Sequence, residues 1–438
     1  MTQLQPTAPL ISKILREQAY NTDLEYRWAK YVIHFSVKDI ILIYNILTKE
    51  YLFCKEWHED KEKLVKKWFL VPIEFDDFKF VRNVKLLLSN LKTQNDVIRN
   101  YTIFTTTDCN ARCSYCFESG YSKVRMSCEI ISATVNYIKR QYKNEPISIQ
   151  WFGGEPLFNV VAIEKICHML KDAGILFNSQ MTTNGLLFNK KMINNAINNW
   201  HLCNVQITLD GTENKYNKTK SYITKEKNPY ARVLSNINDL LDNGVNVTIR
   251  LNLAKDNFDD LMDLVMELSK RFSKYKVCSI YPVPLFQLIN ETPTRKSIFS
   301  NLIKLQLKIE ECGMNLEYAY FNKIRHNHCK ADSSLNSVII FPDGNIGLCE
   351  HEWGQQYIGN VYDPTFFCKT EIENWNKYNM PTTKCAECCL FSDCLKLEKC
   401  ETNYQCFDEL IEYDLFMIRQ QMLSIYNNYE TKLQNSSK

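Results

Sequence analysis

The stretch TTTDCNARCSYCF, residues 105–117, holds Cys109, Cys113 and Cys116 in the spacing CxxxCxxC. A [4Fe–4S] cluster is normally held by four thiolates. Three thiolates on one short loop leave one iron open to a ligand that is not protein. The rest of the chain must then supply what that iron binds and what it acts on. Zinc also takes thiolates, but it usually draws on a second CxxC-type pair or on histidines nearby. Neither occurs in this part of the chain. The loop follows a β-strand pattern and carries an aromatic, Tyr115, inside the spacing, which favours a cluster over a zinc knuckle.

Length and composition set the frame. A chain of 438 residues has room for two or three domains. With 45% hydrophobic and 12% aromatic residues and only 12 Gly and 12 Pro, it reads as folded throughout. A net charge of +3 lacks the basic excess expected of a nucleic-acid or membrane-surface binder. The start, MTQLQPTAPLISKILREQ, has no uninterrupted apolar core or small-residue cleavage site. No run reaches the ~18 apolar residues of a membrane helix. The expected compartment is the cytoplasm. There, 18 cysteines point to metal ligands rather than disulfides. Nine of them lie between Cys329 and Cys406, whereas Cys54, Cys167, Cys203 and Cys278 sit among apolar neighbours and read as small buried residues.

Working outward, residues 1–98 read as a small α+β unit of winged-helix size. It has strands at Asp39–Tyr44 and Tyr51–Trp57, a helix over HEDKEKLVKKWFL, an extended VPIEF and a second helix to about Leu91. Residues 99–312 alternate strands with helices. YTIFTTT, ISIQWFG, FNSQMTT, NVQITL, NVTIRLNL and KVCSIYPV are the strands. Such alternation gives α/β architecture with a parallel sheet. Six units are too few for a closed eightfold barrel, so an open (β/α)6 partial barrel is expected, a flat doubly wound sheet being the alternative. Either way the site lies at the carboxyl ends of the strands. The first five end on Asp108, Gly153-Gly154-Glu155, Asn184-Gly185, Asp210-Gly211 and Asn252. Residues 313–425 form a cysteine-rich region that ends in a helix near 408–425, and 426–438 read as a frayed tail.

With CxxxCxxC and an aromatic before its third cysteine, the chain resembles the radical S-adenosylmethionine enzymes. The resemblance implies that Cys109, Cys113 and Cys116 hold a cluster whose open iron chelates the amino and carboxylate groups of the cofactor's methionine. The backbone around Tyr115 would contact the adenine. GGEP alone can be a simple turn, but one βα unit after CxxxCxxC it matches the family element that binds the methionine amino group, here Gly153, Gly154 and Glu155. TTNG, with Thr183 and Asn184, matches a third signature. ITLDG, with Thr208 and Asp210, matches a fourth. Relatives often carry serine at Thr208, and either hydroxyl can hydrogen-bond the cofactor's carboxylate or ribose. Arg232 and Arg250 are candidates to grip that carboxylate, the alternative being solvated surface arginines.

The later cysteines resemble the SPASM extension of the same enzymes, which carries auxiliary iron–sulfur clusters. Cys329, Gly344 and Cys349 fit its start, and Cys385, Cys388 and Cys394 its CxxCxxxxxC. The resemblance implies a distal cluster on Cys385, Cys388, Cys394 and Cys406. A nearer one would take Cys329, Cys349 and Cys400, with its fourth ligand open. Cys394 and Cys400 are separated by five residues where relatives commonly have three, so Cys389 or Cys312 stands as an alternative to Cys400. Two zinc sites are the other reading of these thiolates; His326, His328 and His351 are surface residues or an outlying ligand. Glu350, directly after Cys349, is a candidate general base, as against a solvated loop residue.

Taken together, the resemblance implies reductive cleavage of S-adenosylmethionine to a 5′-deoxyadenosyl radical that takes a hydrogen from substrate. It also implies an external electron donor and auxiliary clusters as an electron exit. Its substrates with this architecture are peptides or proteins. The amino-terminal unit resembles the peptide-recognition domain in which a leader peptide adds a strand to an open sheet edge. The reading is an oxidoreductase maturing a ribosomally made peptide through a thioether or other crosslink. A sulfatase-type maturase forming formylglycine is the alternative. A non-catalytic metal-binding or electron-transfer protein is opposed by CxxxCxxC together with GGEP.

Overall fold

The structure is a computed structural model. It describes residues 2–3, 14–57, 60–93, 97–289, 292–316, 336–351, 353–355, 357–363, 365, 367–370, 372, 383–393 and 408–436. Cys329, Cys394, Cys400, Cys406, His326 and His328 lie outside the described residues. Two compact units emerge, one built on residues 1–94 and 375–438, the other on 95–317 and 334–374.

In the first unit the strands are β1 (Tyr26–Trp28), β2 (Val32–Val37), β3 (Ile40–Asn45), β4 (Tyr51–Cys54) and β5 (Leu70–Pro72), besides a two-residue strand at Thr2–Gln3 that pairs with β4. Helices α1 (Lys61–Lys66) and α2 (Asp77–Thr93) follow β4 and β5. β2, β3 and β4 form an antiparallel meander, and β1 pairs with β5. β2 was not expected. Its turn to β3 is Lys38-Asp39, with Lys38 at φ 53°, and lacks the Asn-Gly or Asp-Gly that usually marks such hairpins. The helix expected over 58–70 stops at Lys66, because Trp68 turns left-handed at φ 63° and sends Leu70 into β5.

The last helix runs Asp408–Ser436, so the tail expected from 426 is ordered helix. Ile418, Met422 and Tyr426, spaced four apart, bury one face against Ile33, Leu42, Tyr44 and Phe53. The polar run NNYETK hid this stripe. Tyr426 meets Phe53 edge-on at 5.2 Å. Tyr426→Ala is expected to cost about 2–4 kcal/mol in chemical denaturation. A frayed tail would show no change.

The second unit carries β6 (Asn100–Thr106), β7 (Ile147–Gly153), β8 (Phe177–Thr183), β9 (Leu202–Leu209), β10 (Asn246–Leu253) and β11 (Cys278–Pro284). All neighbours are parallel, and their order in the sheet is their order in the chain. A doubly wound sheet reverses direction at a switch point; this one never does. Crossovers of one hand therefore put the helices on one face, the arrangement of a partial (β/α) barrel. Those helices are α3 (Cys128–Gln141), α4 (Val160–Asp172), α5 (Lys190–Asn198), α6 (Glu213–Lys220), α7 (Pro229–Asp242), α8 (Phe258–Phe272) and α9 (Thr292–Glu311).

The sheet also grows at both ends. β12 (Asn315–Leu316) pairs with β11. On the other side β13 (Ser337–Ile340) lies parallel to β6, followed by antiparallel β14 (Asn345–Gly347) and β15 (Gly359–Asn360). Residues 334–374, expected in the cysteine-rich region from 313 onward, thus belong to the barrel unit. SVII is buried along its whole length and can hide its backbone only by pairing with the free edge of β6.

Strand alternation separates two faces. Ile149, Trp151, Val205, Ile207, Val247, Ile249 and Ile280 are fully buried on the helix side. Their neighbours in sequence point the other way, and the register aligns Thr182 with Gln206, Gln206 with Thr248, and Thr208 with Arg250 and Tyr281. The inner face is therefore polar, and its side chains bond across strands. Gln150 Nε2 donates to Thr182 Oγ1 at 3.1 Å and Tyr281 OH to Gln206 Oε1 at 2.9 Å. Cys54, Cys167 and Cys278 are buried as expected; Cys203 is exposed, displaced by a register shift between Leu202 and Asn204. Among the described residues no helix is long and apolar enough to cross a membrane.

Candidate active site

The CxxxCxxC loop leaves β6 at Thr106 and is braced by its own side chains, which bond its backbone. Thr106 Oγ1 accepts from Asp108 N at 2.9 Å, Asp108 Oδ1 from Cys109 N at 2.9 Å, and Arg112 Nη1 donates to the Cys109 and Ala111 carbonyls at 2.6 and 2.7 Å. Cys109 and Cys113 are half-buried and Cys116 is exposed. Burial pushes all three thiols up, Cys109 to about 12, and a metal bound there would take the place of the thiol protons. Among the described residues no three His, Cys, Asp or Glu side chains converge on a single metal ion. A cluster asks for a wider triangle, because each thiolate sits on a different iron.

The other loops close on this one. Gly154 N donates to Thr106 O at 3.1 Å and Glu155 N to Asp108 O at 3.0 Å, so GGEP runs directly against the cysteine loop. A Cβ on Gly153, which stands at φ 100°, would lie 2.3 Å from Thr106 O; one on Gly154 would lie 2.3 Å from Asp108 O. The close approach these glycines permit is to the cluster loop's backbone. Gly154→Ala is expected to displace that loop at a cost of about 2–3 kcal/mol and to lower iron uptake on anaerobic reconstitution.

Glu155 is fully buried, and its carboxylate serves the protein. Oε1 accepts from Thr183 Oγ1 at 2.7 Å and from Leu157 N at 3.1 Å, and Oε2 accepts from Asn184 N at 2.9 Å. In the structure it fastens TTNG to GGEP. Asn184 then reaches the cysteine loop, donating from Nδ2 to Asn110 Oδ1 at 2.7 Å, with Cys109 Sγ at 3.9 Å.

Asp210 of ITLDG is also buried. Its Oδ1 accepts from Tyr115 OH at 2.8 Å and Asn252 Nδ2 at 3.1 Å, and its Oδ2 lies 3.0 Å from Lys220 Nζ. Tyr115 thus ties the cysteine loop to the fourth strand's end, while its carbonyl accepts from Gln287 Nε2 at 3.1 Å. Thr208 and Arg250 are paired in register on the inner face, with Arg250 Nε on Asn252 Oδ1 at 3.0 Å. Arg232 is placed differently. Val233, Leu234 and Ile237 take the buried face of α7 and leave Arg232 exposed, its Nη2 on Phe188 O at 3.2 Å. It joins none of the other candidates through a described contact.

Residues 103–268 match the model of the Radical SAM superfamily. The chain carries a radical SAM domain. The cofactors of such a domain are a [4Fe–4S] cluster and S-adenosylmethionine, and the loops described above are where its motifs fall. Radical SAM cyclopropyl synthase TigE of Paramaledivibacter caminithermalis is 19% identical over 384 residues, 80% of this chain and 78% of its own. Among solved structures, native anSMEcpe with bound AdoMet and Cp18Cys peptide superposes with a TM-score of 0.58 at 15% identity, over 75% of this chain and 99% of that one. SuiB of Streptococcus suis bound to precursor peptide SuiA gives 0.51 at 13% identity, over 84% and 94%. At such identities the likeness is one of fold.

Beside the radical SAM motifs stands a second group on the same unit. Phe117 packs on His351 with ring centroids 4.2 Å apart, Tyr121 lies 6.5 Å from Trp353, and Tyr121 OH donates to His351 O at 3.4 Å. His351 and Trp353 are thereby held against the residues that follow Cys116, and Cys349 and Glu350, just before them in the chain, are half-buried. Cys385 and Cys388 belong to the other unit, where a turn closes from Cys388 N to Cys385 O at 3.2 Å and both pack on its core. Cys312 and Cys389 are half-buried, and burial pushes the Cys389 thiol up.

Two residues of the site carry no sequence motif. Lys220 ends α6 within NKTKSY, and only its position among tyrosines hints at a buried cation. Glu118 lies two residues past Cys116; burial pushes its carboxyl up to about 8, and Oε2 has no hydrogen-bond partner among the described residues.

Proposed function

We propose that the chain is a radical SAM maturase that oxidatively modifies a ribosomally made peptide, with Cys109, Cys113 and Cys116 holding the cluster. One observation carries this reading. GGEP, TTNG and ITLDG each bond to the CxxxCxxC loop or through one residue of it, at the mouth of a polar inner face. When bound, the cluster and S-adenosylmethionine supply the radical that takes hydrogen from a substrate carbon. This chain's residues then do the placing. Tyr115, Gly153, Gly154, Thr183, Asn184 and Asp210 shape the cofactor cradle, and Arg250 and Thr208 offer a guanidinium and a hydroxyl to its carboxylate. The side chains of the inner face line the space where a peptide carbon would meet it.

The substrate class draws support from the relatives, since SuiB is seen with a precursor peptide and anSMEcpe with a peptide. The first unit offers a seat for a leader segment. β2 pairs only with β3 among the described strands, so its outer edge presents unpaired backbone groups. Beside it runs a groove of about 570 Å³ lined by Phe35, Val37, Leu415, Phe416, Arg419 and Leu423. An extended peptide can add a strand there and lay alternate side chains into the groove. Auxiliary clusters would use Cys385, Cys388, Cys394 and Cys406, and Cys329, Cys349 and Cys400. Glu350 makes no hydrogen bond or ion pair with the described residues and would accept the substrate's proton. An oxidative crosslink such as a thioether is the expected product.

Anaerobic reconstitution tests the cofactors: about twelve irons per chain and release of 5′-deoxyadenosine under dithionite are expected. Two zincs without cofactor cleavage would sink the reading. Co-expression with candidate short peptides, read by mass spectrometry, tests the substrate. A loss of ~2 Da that disappears in Cys113→Ala marks an oxidative crosslink. No shift in any peptide counts against it.

A further inference from the structure

Three exposed cations crowd a single carboxylate of the cysteine loop. Arg112 Nη2, Lys123 Nζ and Arg125 Nη2 lie 3.8, 3.6 and 3.8 Å from the Asp108 carboxylate. Their side chains are 41%, 58% and 53% exposed, that of Asp108 only 18%. The strip that carries two of them is fixed against β6. Arg125 faces Thr106 in an antiparallel bridge, Thr107 N donates to Val124 O at 2.9 Å, and Met126 N donates to Thr105 O at 3.0 Å. Successive residues of an extended strip point to opposite faces. Met126 is buried and Val124 half-buried, which turns Lys123 and Arg125 outward together. The Arg125 guanidinium also lies 4.5 Å over the ring of Phe158, just past GGEP in the chain. A second segment bonded to the loop adds charge. Ile223 N donates to Asn110 O at 2.9 Å, and exposed Lys225 and Lys227 follow it with Glu226 between them.

Stability does not account for this grouping. All three contacts with Asp108 exceed hydrogen-bond length, and exposed ion pairs contribute little. Three cations around one carboxylate also repel one another. They leave an excess of positive charge at the surface of the loop, in a chain whose whole net charge is +3. Such a surface suits an acidic partner and speeds its encounter. Reductive chemistry at this loop needs one electron from outside the chain, and ferredoxin clusters supply single electrons at low potential.

We propose that Arg112, Lys123 and Arg125 form the docking surface for an acidic ferredoxin that reduces the cluster on this loop. One electron leaves the ferredoxin, which is oxidised, and enters the chain's cluster; no bond or proton moves. The proposal rests on the cluster reading of Cys109, Cys113 and Cys116 given above. Its test uses the full chain, reconstituted anaerobically with iron and sulfide, as wild type, Lys123→Gln and the double variant Lys123→Glu with Arg125→Glu. The probe is an acidic plant-type ferredoxin. Its binding in the oxidised form is measured by calorimetry at low and high salt, and its electron transfer in the reduced form by stopped flow. Cleavage of S-adenosylmethionine by chains reduced beforehand with dithionite is the reading that needs no docking. The wild type should bind ferredoxin more tightly at low salt. There the double variant should lose about tenfold in affinity and in the rate of reduction, and the gap should close at high salt. Lys123→Gln should show a smaller loss of the same kind. Iron content and cleavage after dithionite should match the wild type throughout. Undiminished binding in the double variant overturns the proposal, as does a wild type that binds no ferredoxin or binds it regardless of salt. If the double variant loses its iron, Lys123→Gln decides alone, and full affinity there overturns the proposal. A wild type that cleaves no S-adenosylmethionine after dithionite refutes the cluster reading instead.

Discussion

Replacing Cys113 by alanine is expected to abolish cofactor cleavage while leaving the fold intact. The thiol is half-buried, and its described contact is a long one, 3.9 Å to Lys220 O, so losing it should cost less than about 1 kcal/mol. The loop keeps its bracing from Thr106, Asp108 and Arg112. What disappears is one of three iron ligands. A cluster already one thiolate short of the usual four would be left with two, so iron should fall by about four per chain. Release of 5′-deoxyadenosine should vanish with it. Cys203→Ala is the matched control, an exposed thiol at the start of β9, the end of the strand opposite to Asp210, and it should change neither reading. Undiminished iron and undiminished cofactor cleavage in Cys113→Ala would show that the three cysteines are not the ligand set.

The parts that were legible in the sequence share a cause. All six barrel strands sit within two residues of their expected limits, because each is a short run rich in β-branched or aromatic residues, and the first five close on glycine or a polar residue. Period-two alternation already separates Ile149 and Trp151 from Gln150 and so contains the polar inner face. Other features were hidden by physics that acts outside a local window. The hairpin at Lys38 depends on a left-handed lysine that nothing in the sequence marks. SVII at 337–340 reads as an orphan strand until β6 offers an edge more than two hundred residues earlier. Lys220 is one lysine among many in a polar helix, and only the fold brings Asp210 and Tyr115 to it. GGEP was the subtler case. Its position at the site was plain, yet a motif cannot say whether its carboxylate faces a ligand or its own chain.

Glu155→Ala separates those two roles. In the structure the carboxylate accepts from Leu157 N and Thr183 Oγ1, both on buried residues, and from Asn184 N on a half-buried one. Burial pushes its carboxyl up, but these three donors oppose that shift and favour the ionised form. Truncation to alanine leaves three donors without their acceptor, and the two buried ones cost about 1–3 kcal/mol each when unsatisfied. A total loss of about 3–5 kcal/mol is expected after local relaxation. The loss should appear in the chain without iron or S-adenosylmethionine, because all the broken bonds are internal. TTNG would then swing free of GGEP, and Asn184 would no longer hold Asn110 of the cysteine loop. Iron uptake should therefore fall as well, although Glu155 is not an iron ligand. Glu155→Gln is the finer probe. Its oxygen can still accept from Thr183 and Leu157, but its amide would set a donor against Asn184 N, so an intermediate loss is expected. If instead Glu155 serves only the cofactor's ammonium, the cofactor-free chain will melt as the wild type does in both variants. Binding of S-adenosylmethionine alone will then weaken. Thermal unfolding of the iron-free chain, followed by circular dichroism, distinguishes the two outcomes.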